Sequence, residues 1–327
     1  MMKRTLMTAV ATVFAMAAMA QANIDTYVAV NDEPDVNTYA LIISNEHYKH
    51  EVPVPYALND GAIFQRYLTK TLGIPEKNVK FVPDATLNDM NYNLKWLESV
   101  MNVMDGEARA IVYYSGHGMP DDASKKAYLL PVDAYSLEPT SGISTEAFYQ
   151  RLGAMKSKQT MVFLDACFSG SKREGGMIQS ARGIAVKEKK GVVPGNMVVF
   201  SATDAGQTAY PLKDKEHGLF TYYILDQLRK KKGCVSLGEL SDSVMKNVRR
   251  TSFTVNEKEQ TPTITASAGS TDWRNWMLGS KEAKRFENMG RPMTVPVSTA
   301  AQQTATSTST TTTPTTKQPV KKSFLKH

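Results

Sequence analysis

The most informative parts of this 327-residue sequence are Ala110-Ile-Val-Tyr-Tyr-Ser-Gly-His-Gly118 and Thr160-Met-Val-Phe-Leu-Asp-Ala-Cys-Phe-Ser-Gly170. Each begins with a short, continuous run of apolar residues and continues directly into polar residues and glycine. Such a run is typical of a strand that is buried on both faces of a parallel sheet. Because parallel strands end at one edge of their sheet, we expect His117 and Cys167 at the same edge.

The rest of the chain alternates between strand and helix patterns. Strand patterns occur at Tyr39–Ile43, Val79–Val82, Ala127–Leu130 and Met197–Phe200, with a final edge strand predicted at Thr261–Thr265. Helix patterns occur at Asn59–Leu72, Asn88–Met104, Thr145–Met155, Leu219–Lys230 and Leu237–Val248. This alternation predicts an α/β fold, a sandwich in which helices cover both faces of a mostly parallel central sheet.

Four segments organise the chain around this predicted domain. Residues 1–20 combine Lys3 and Arg4 with an apolar run and small residues, which is typical of a secretory signal peptide. An uncleaved anchor is the alternative, but the run is shorter than the ~20 residues that span a bilayer. Residues 21–36 form an N-terminal extension, 37–279 the domain, and 280–327 a Thr/Ser/Pro-rich tail predicted to be disordered. The expected location is therefore secreted or periplasmic, with no membrane span.

The charge and the cysteine count exclude two classes of function. The formal net charge is +7, but six basic residues lie in the leader and the tail, which leaves +1 for the remainder. A basic face for nucleic acid is therefore not expected. Two cysteines are too few for a disulfide framework or a cysteine-rich zinc site. The sequence does not indicate an oligomeric state.

A cysteine and a histidine at one sheet edge suit nucleophilic catalysis. A thiolate is a strong nucleophile, and a neighbouring imidazole raises the ionised fraction and later protonates the departing amine. The backbone N–H groups of Cys167 and Gly118 are the expected donors to the developing oxyanion. The alternative is structural, with Cys167 a small buried apolar residue and His117 a hydrogen-bonded loop residue.

The motifs Tyr114-Ser-Gly-His-Gly118 and Asp165-Ala-Cys-Phe-Ser-Gly170 resemble those of the caspase-like clan of cysteine peptidases, of the C14 type, and among them the bacterial metacaspase-like proteins. The resemblance covers about residues 37–267. It implies the caspase-like sandwich, a catalytic dyad of His117 and Cys167, and the same two oxyanion donors. Protein or peptide substrates would be the partners.

The resemblance also implies an acidic pocket for Arg or Lys before the cleaved bond. Asp60, Ser115 and Asp165 match the pocket positions of metacaspases. Two carboxylates in a partly dry pocket favour a cation between them. As alternatives, Asp60 caps its own helix and Asp165 fixes its loop.

A basic loop at 172–196 follows the nucleophile. An enzyme that cuts after Arg or Lys could process itself there, with Arg173, Arg182 and Lys190 as candidates; a plain solvated loop is the alternative.

No cofactor or metal is expected, although the resemblance leaves calcium dependence open, without a clear site. Two other functions stay open: a catalytically silent binding or scaffold protein, and a transpeptidase that uses the same dyad for acyl transfer.

Overall fold

The computed structural model describes residues 23–121, 124, 126–135, 138–168, 193–204, 206–279 and 281–292. The predicted signal peptide, Arg173, Arg182, Lys190 and most of the predicted tail lie outside these ranges. Contacts divide the chain into a unit of residues 1–294, which holds all described residues, and a second unit of residues 295–327.

The described residues form strands and helices in the following order along the chain. The strands are β1 (Tyr27–Val30), β2 (Thr38–Ser44), β3 (Val79–Pro83), β4 (Arg109–Ser115), β5 (Gly118–Asp121), β6 (Lys126–Leu129), β7 (Ile143–Ser144), β8 (Gln159–Asp165), β9 (Met197–Ser201), β10 (Pro211–Leu212), β11 (His217–Gly218), β12 (Thr263–Ala266) and β13 (Arg285–Asn288). The helices are α1 (Ala57–Arg66), which continues as a π-helical stretch over Tyr67–Thr71, α2 (Leu87–Met104), α3 (Thr145–Gly153), α4 (Leu219–Lys230) and α5 (Leu237–Asn256).

The central sheet has six strands in the order β12-β9-β8-β4-β2-β3. Of the five pairings between neighbouring strands, four are parallel. The fifth, between the edge strand β12 and β9, is antiparallel. This confirms the predicted α/β sandwich with a mostly parallel sheet. The predicted edge strand is also present, shifted slightly to Thr263–Ala266.

Two apolar cores cover the two faces of this sheet. Alternate residues of the strands, such as Tyr113 and Phe163, pack on one face together with α1, α4 and α5. The intervening residues, such as Val112 and Val162, pack on the other face with α2 and α3. Each fully buried large apolar side chain contributes about 1.5–3 kcal/mol to folding. The alternation thus fixes which strand residues face α1 and α4, and this sets the direction of the polar residues at the strand ends.

The two ends of the described chain differ from the predicted boundaries. Residues 281–292, which the composition assigned to the disordered tail, include β13, and β13 pairs antiparallel with β1 of the N-terminal extension. The rings of Tyr27 and Phe286 stack with centroids 4.9 Å apart. The physical reason is a pairing between distant segments: each alone has too little apolar surface to fold, whereas together they form a two-stranded sheet.

Candidate active site

The strand register brings the two motif loops to one edge of the sheet. β4 and β8 are parallel neighbours, and Ser115 at the end of β4 lies opposite Asp165 at the end of β8. His117 and Cys167 each follow two residues later. The N–H of Gly116 also donates to the carbonyl of Asp165 at 3.3 Å, which ties the two loops together directly.

Gly118 brings the loops into contact. A Cβ atom built on Gly118 would lie 2.6 Å from the carbonyl oxygen of Cys167 and 2.6 Å from the ring of Phe168. No real side chain tolerates such distances to backbone, so only glycine allows this approach. The two residues expected to supply oxyanion donors, Gly118 and Cys167, are therefore neighbours in space.

Two tyrosines fix the backbone of His117. The N–H of His117 donates to the hydroxyl of Tyr48 at 2.7 Å, and the hydroxyl of Tyr114 donates to the carbonyl of His117 at 2.7 Å. Burial raises the pKa of both tyrosines, so the hydroxyls keep their protons. The ring Nε2 lies 2.8 Å from the carbonyl of Val52. Sequence reasoning missed Tyr48 and Val52, because nothing in the sequence shows that their loop folds over His117.

A short segment lies against the sulfur of Cys167. The N–H of Ala209 donates to Sγ at 2.8 Å, and Sγ lies 3.8 Å from the carbonyl of Ala209. We call residues 206–210 the cover segment. Cys167 and His117 are only 6% and 4% exposed. Both residues are therefore almost completely buried.

Gln260 anchors the cover segment. Its side-chain oxygen accepts the N–H of Tyr210 at 2.9 Å, and its side-chain nitrogen donates to the carbonyl of Ala202 at 3.0 Å. The N–H of Thr261 in turn donates to the side-chain oxygen of Gln207 at 2.7 Å. The segment that precedes β12 thus holds the segment that touches the sulfur.

The candidate pocket residues lie in one row across the sheet. Ser44, Ser115 and Asp165 are in register on β2, β4 and β8, and all three are fully buried. Asp165 accepts a hydrogen bond from the Thr221 hydroxyl of α4 at 2.7 Å. Within the described ranges, the hydroxyl oxygens of Ser44 and Ser115 have no hydrogen-bond partner. Ser44 was not anticipated from the sequence; only its register beside Ser115 reveals it.

Asp60 belongs to a second buried cluster. It does not cap its own helix, whose N-cap is Tyr56; instead its carboxylate accepts the N–H of Gly218, the N-cap residue of α4, at 3.0 Å. Its Oδ1 also lies 2.7 Å from Nδ1 of His217, and Nε2 of His217 lies 2.7 Å from Oδ1 of Asp25. We call Asp25, His217 and Asp60 the buried triad.

His217 is a cation in this environment. Burial alone would lower its pKa, but hydrogen bonds to Asp25 and Asp60 and the charges of both carboxylates outweigh it and raise the pKa to about 9. A neutral imidazole has one N–H group, whereas the protonated ring donates from both nitrogens and so binds one oxygen of each carboxylate. This cluster could not be predicted from the sequence, because its members lie in three distant segments.

Two further observations concern binding and location. The described part of the chain has no group of three or more His, Cys, Asp or Glu side chains suited to a metal ion. Among the helices of that part, none combines the length and apolar character that crossing a bilayer requires.

Comparisons with known proteins point to one family. The family model of the caspase domain, peptidase C14, matches residues 37–271. Caspase-1 from Spodoptera frugiperda is similar in structure, with a TM-score of 0.51 and 17% identity over 72% of this chain and 89% of that one. Protein GSU0716 from Geobacter sulfurreducens has a TM-score of 0.52 and 17% identity over 75% and 99% of the two chains. No curated protein matches.

Proposed function

Because the chain belongs to the caspase-domain family of cysteine peptidases, we propose that it is an endopeptidase with Cys167 as nucleophile and His117 as general acid and base. The observation that carries this proposal is the contact between the two strand-end loops, where Gly118 lies against Cys167. A nucleophile, a base and two backbone donors at one point are what acyl transfer from a peptide requires.

The proposed reaction proceeds in two stages. The imidazole of His117 takes the proton of the Cys167 thiol, and the thiolate attacks the peptide carbonyl carbon. The N–H groups of Gly118 and Cys167 stabilise the oxyanion, and the imidazolium gives its proton to the departing amine. Water, deprotonated by His117, then attacks the thioester carbonyl carbon; the C–S bond breaks, the acid is released, and the imidazolium returns its proton to Sγ. The N–H of Ala209, which now donates to Sγ, supports negative charge on the sulfur.

The proposed specificity is for Arg or Lys before the cleaved bond. Asp165 lies two residues before the nucleophile, in a row with two serine hydroxyls that have no partner in the described structure. A guanidinium or ammonium donates to such oxygens, and a carboxylate favours it electrostatically. Asp60 contributes indirectly, because its carboxylate accepts the N–H of Gly218 at the start of α4. Thr221, in the first turn of the same helix, donates to Asp165.

Peptide turnover tests the proposal. The protein from residue 21 onward is assayed with fluorogenic peptides that end in Arg, Lys or Asp, beside Cys167→Ala. We expect turnover after Arg or Lys that disappears in the variant. No turnover of any peptide would favour the silent scaffold, and turnover after Asp alone would contradict the acidic pocket.

Self-processing at 172–196 is part of the proposal. Arg173, Arg182 and Lys190 lie outside the described residues. The support is that they are basic and that they follow the nucleophile closely in the sequence. Incubated wild-type protein should convert to two bands, and Cys167→Ala should stay intact. An Arg182→Gln variant that stays intact while Arg173→Gln and Lys190→Gln are cut would assign the bond.

A further inference from the structure

The buried triad is joined to the candidate pocket, and two of its members, Asp25 and His217, have no part in the proposed function. His217 and Asp60 are fully buried and Asp25 almost so, and both ring nitrogens of His217 lie 2.7 Å from a carboxylate oxygen. Burying a charge is costly unless it is paired and hydrogen-bonded. A cluster of three charged groups in the interior is thus stable only while each charge keeps its partner.

The first turn of α4 joins the triad to the pocket. Asp60 accepts the N–H of Gly218, the N-cap residue, at 3.0 Å. One turn later, the hydroxyl of Thr221 donates to Asp165 at 2.7 Å. The positive end of the helix dipole favours carboxylates at this position. The position of α4 relative to Asp60 therefore determines where Thr221 holds the Asp165 carboxylate.

Asp25, the member of the triad that lies in the N-terminal segment, is itself held by several contacts. Besides His217, Asp25 faces Arg291, at 3.5 Å, and its carbonyl accepts the side chain of Arg66 at 2.5 Å. The hydroxyl of Tyr67 donates to the carbonyl of Ile24 at 3.0 Å. These contacts tie Asp25 to α1, the helix that carries Asp60, so that the extension is built into the domain.

We propose that Asp25 and His217 are positioning residues of the substrate-binding site: they hold Asp60 against the start of α4 and thereby fix Thr221 and the pocket carboxylate Asp165. The inference rests on the proposed function for its substrate. It makes the N-terminal extension part of the specificity site of the peptidase, although this segment lies before the family match at residue 37.

The test uses the charge preference of Cys167 toward thiol reagents and needs no peptide turnover. The protein carries Cys234→Ser, which leaves Cys167 as its remaining cysteine. Methyl methanethiosulfonate is neutral and its 2-aminoethyl analogue is a cation; with both, the Cys167 thiolate attacks the sulfenyl sulfur, a mixed disulfide forms and methanesulfinate leaves. Both reagents need the same opening of the loops around Cys167, so this step cancels in the ratio of the two rates. The ratio therefore reports where carboxylates lie relative to the sulfur.

Asp25→Asn is compared with Asp32→Asn, the same change at an exposed carboxylate of the same extension that pairs with Arg285. We expect the cation-to-neutral ratio to fall about threefold in Asp25→Asn and to change less than about 1.5-fold in Asp32→Asn. With an Arg peptide, KM should rise about tenfold in Asp25→Asn while kcat stays within about threefold. Equal ratios in the two folded variants would overturn the proposal.

Thr221→Val breaks the same connection at its other end and, unlike Asp25→Asn, leaves every charge in place. Its ratio should also fall about threefold, and an unchanged ratio would overturn the proposal. Where both variants fold, their effects should not multiply in the double variant, since they act through one connection. Wild-type protein that cleaves no peptide would defeat the proposed function alone, because the reagent ratio still tests the positioning.

Discussion

The candidate catalytic pair and the buried triad are held by different kinds of contact. The side chains of Cys167 and His117 contact backbone groups, the N–H of Ala209 and the carbonyl of Val52, and two tyrosine hydroxyls hold the backbone of His117. In the triad, charged side chains from three separate segments bind one another at 2.7 Å. Net contributions of single hydrogen bonds are about 0.5–1.5 kcal/mol, whereas breaking a buried ion pair costs about 3–5 kcal/mol.

This difference separates a region whose contacts are individually weak from one whose contacts are individually strong. We therefore expect the cover segment to open at a lower cost in free energy than the triad. The triad cannot rearrange without leaving a charge unpaired in the interior. Under the proposed function, this difference would keep Asp165 in place while the cover segment opens.

The largest expected effect is at the nucleophile. Cys167→Ala should lower kcat/KM for an Arg peptide by at least about 10⁴-fold, because the variant has no group that forms the thioester. Cys234→Ala is the matched control, since Cys234 is the other free cysteine and only half-buried; it should retain activity within about twofold. Activity that survives in Cys167→Ala would remove this residue from the reaction.

Stability should depend on the triad more than on a similar pair at the surface. His217→Gln should lower the free energy of unfolding by about 3 kcal/mol, because it leaves two buried carboxylates without their cation. In His47→Gln the lost partner is Asp84, at 2.9 Å, but the His47 side chain is half exposed, and the change should stay within about 1 kcal/mol. Equal losses in urea titrations of the two variants would contradict the distinction between the regions.

Asp165→Asn should change which substrate is preferred. The amide keeps the shape of the carboxylate and still accepts from Thr221, but it carries no charge. We expect kcat/KM for an Arg peptide to fall about 10²-fold and that for the citrulline peptide, which is neutral and similar in shape, to change little. Parallel losses on both peptides would show that Asp165 supports the loop and not the cation.

Alkaline pH should weaken the triad. The pKa of His217 is raised from 6.5 to about 9, so its contribution to stability is complete below 6.5 and is lost as the pH rises through about 9. The groups around it are Asp25 and Asp60, then Arg291, Glu216 and the ring of Tyr222. Between pH 7 and 10, wild-type protein should lose about 2 kcal/mol more than His217→Gln in urea titrations. Parallel pH curves would contradict a charged His217.

The smallest expected effect is at the anchor of the cover segment. Gln260→Ala removes the hydrogen bonds to Tyr210 and Ala202, so the segment should leave the sulfur more often. In the Cys234→Ser background, alkylation of Cys167 by iodoacetamide should become about fivefold faster, which corresponds to about 1 kcal/mol. Gln227→Ala is the control, because Gln227 binds Ser243 between α4 and α5. Equal rates in the two variants would mean that Gln260 does not restrain the segment.

Local sequence patterns predicted the sheet and the position of the candidate catalytic residues. Apolar runs that end in Ser-Gly-His and Asp-Ala-Cys showed two buried strands followed by reactive side chains, and β4 and β8 are parallel neighbours in the structure. The family and the α/β sandwich are confirmed. The roles of His117, Cys167, Asp60, Ser115 and Asp165 stay predictions.

The triad and the cover segment could not be predicted in the same way. Asp25, Asp60 and His217 each look like ordinary polar residues in their own segments, and only the folded chain brings them within 2.7 Å. The strand at Arg285–Asn288 was missed for the same reason, because its partner lies at Tyr27–Val30. Contacts of this kind depend on long-range topology, which hydrophobic period and turn residues do not encode.

The pairing of β1 with β13 has a consequence for the order in which the chain completes its fold. β1 is synthesised before the rest of the domain, yet its partner is the last strand of the described chain. Ribosomes release the N-terminal segment long before Arg285–Asn288 exists, and closing so large a loop is slow. We therefore expect the two-stranded sheet, and the contact of Arg291 with Asp25 beside it, to form only after translation has passed these residues.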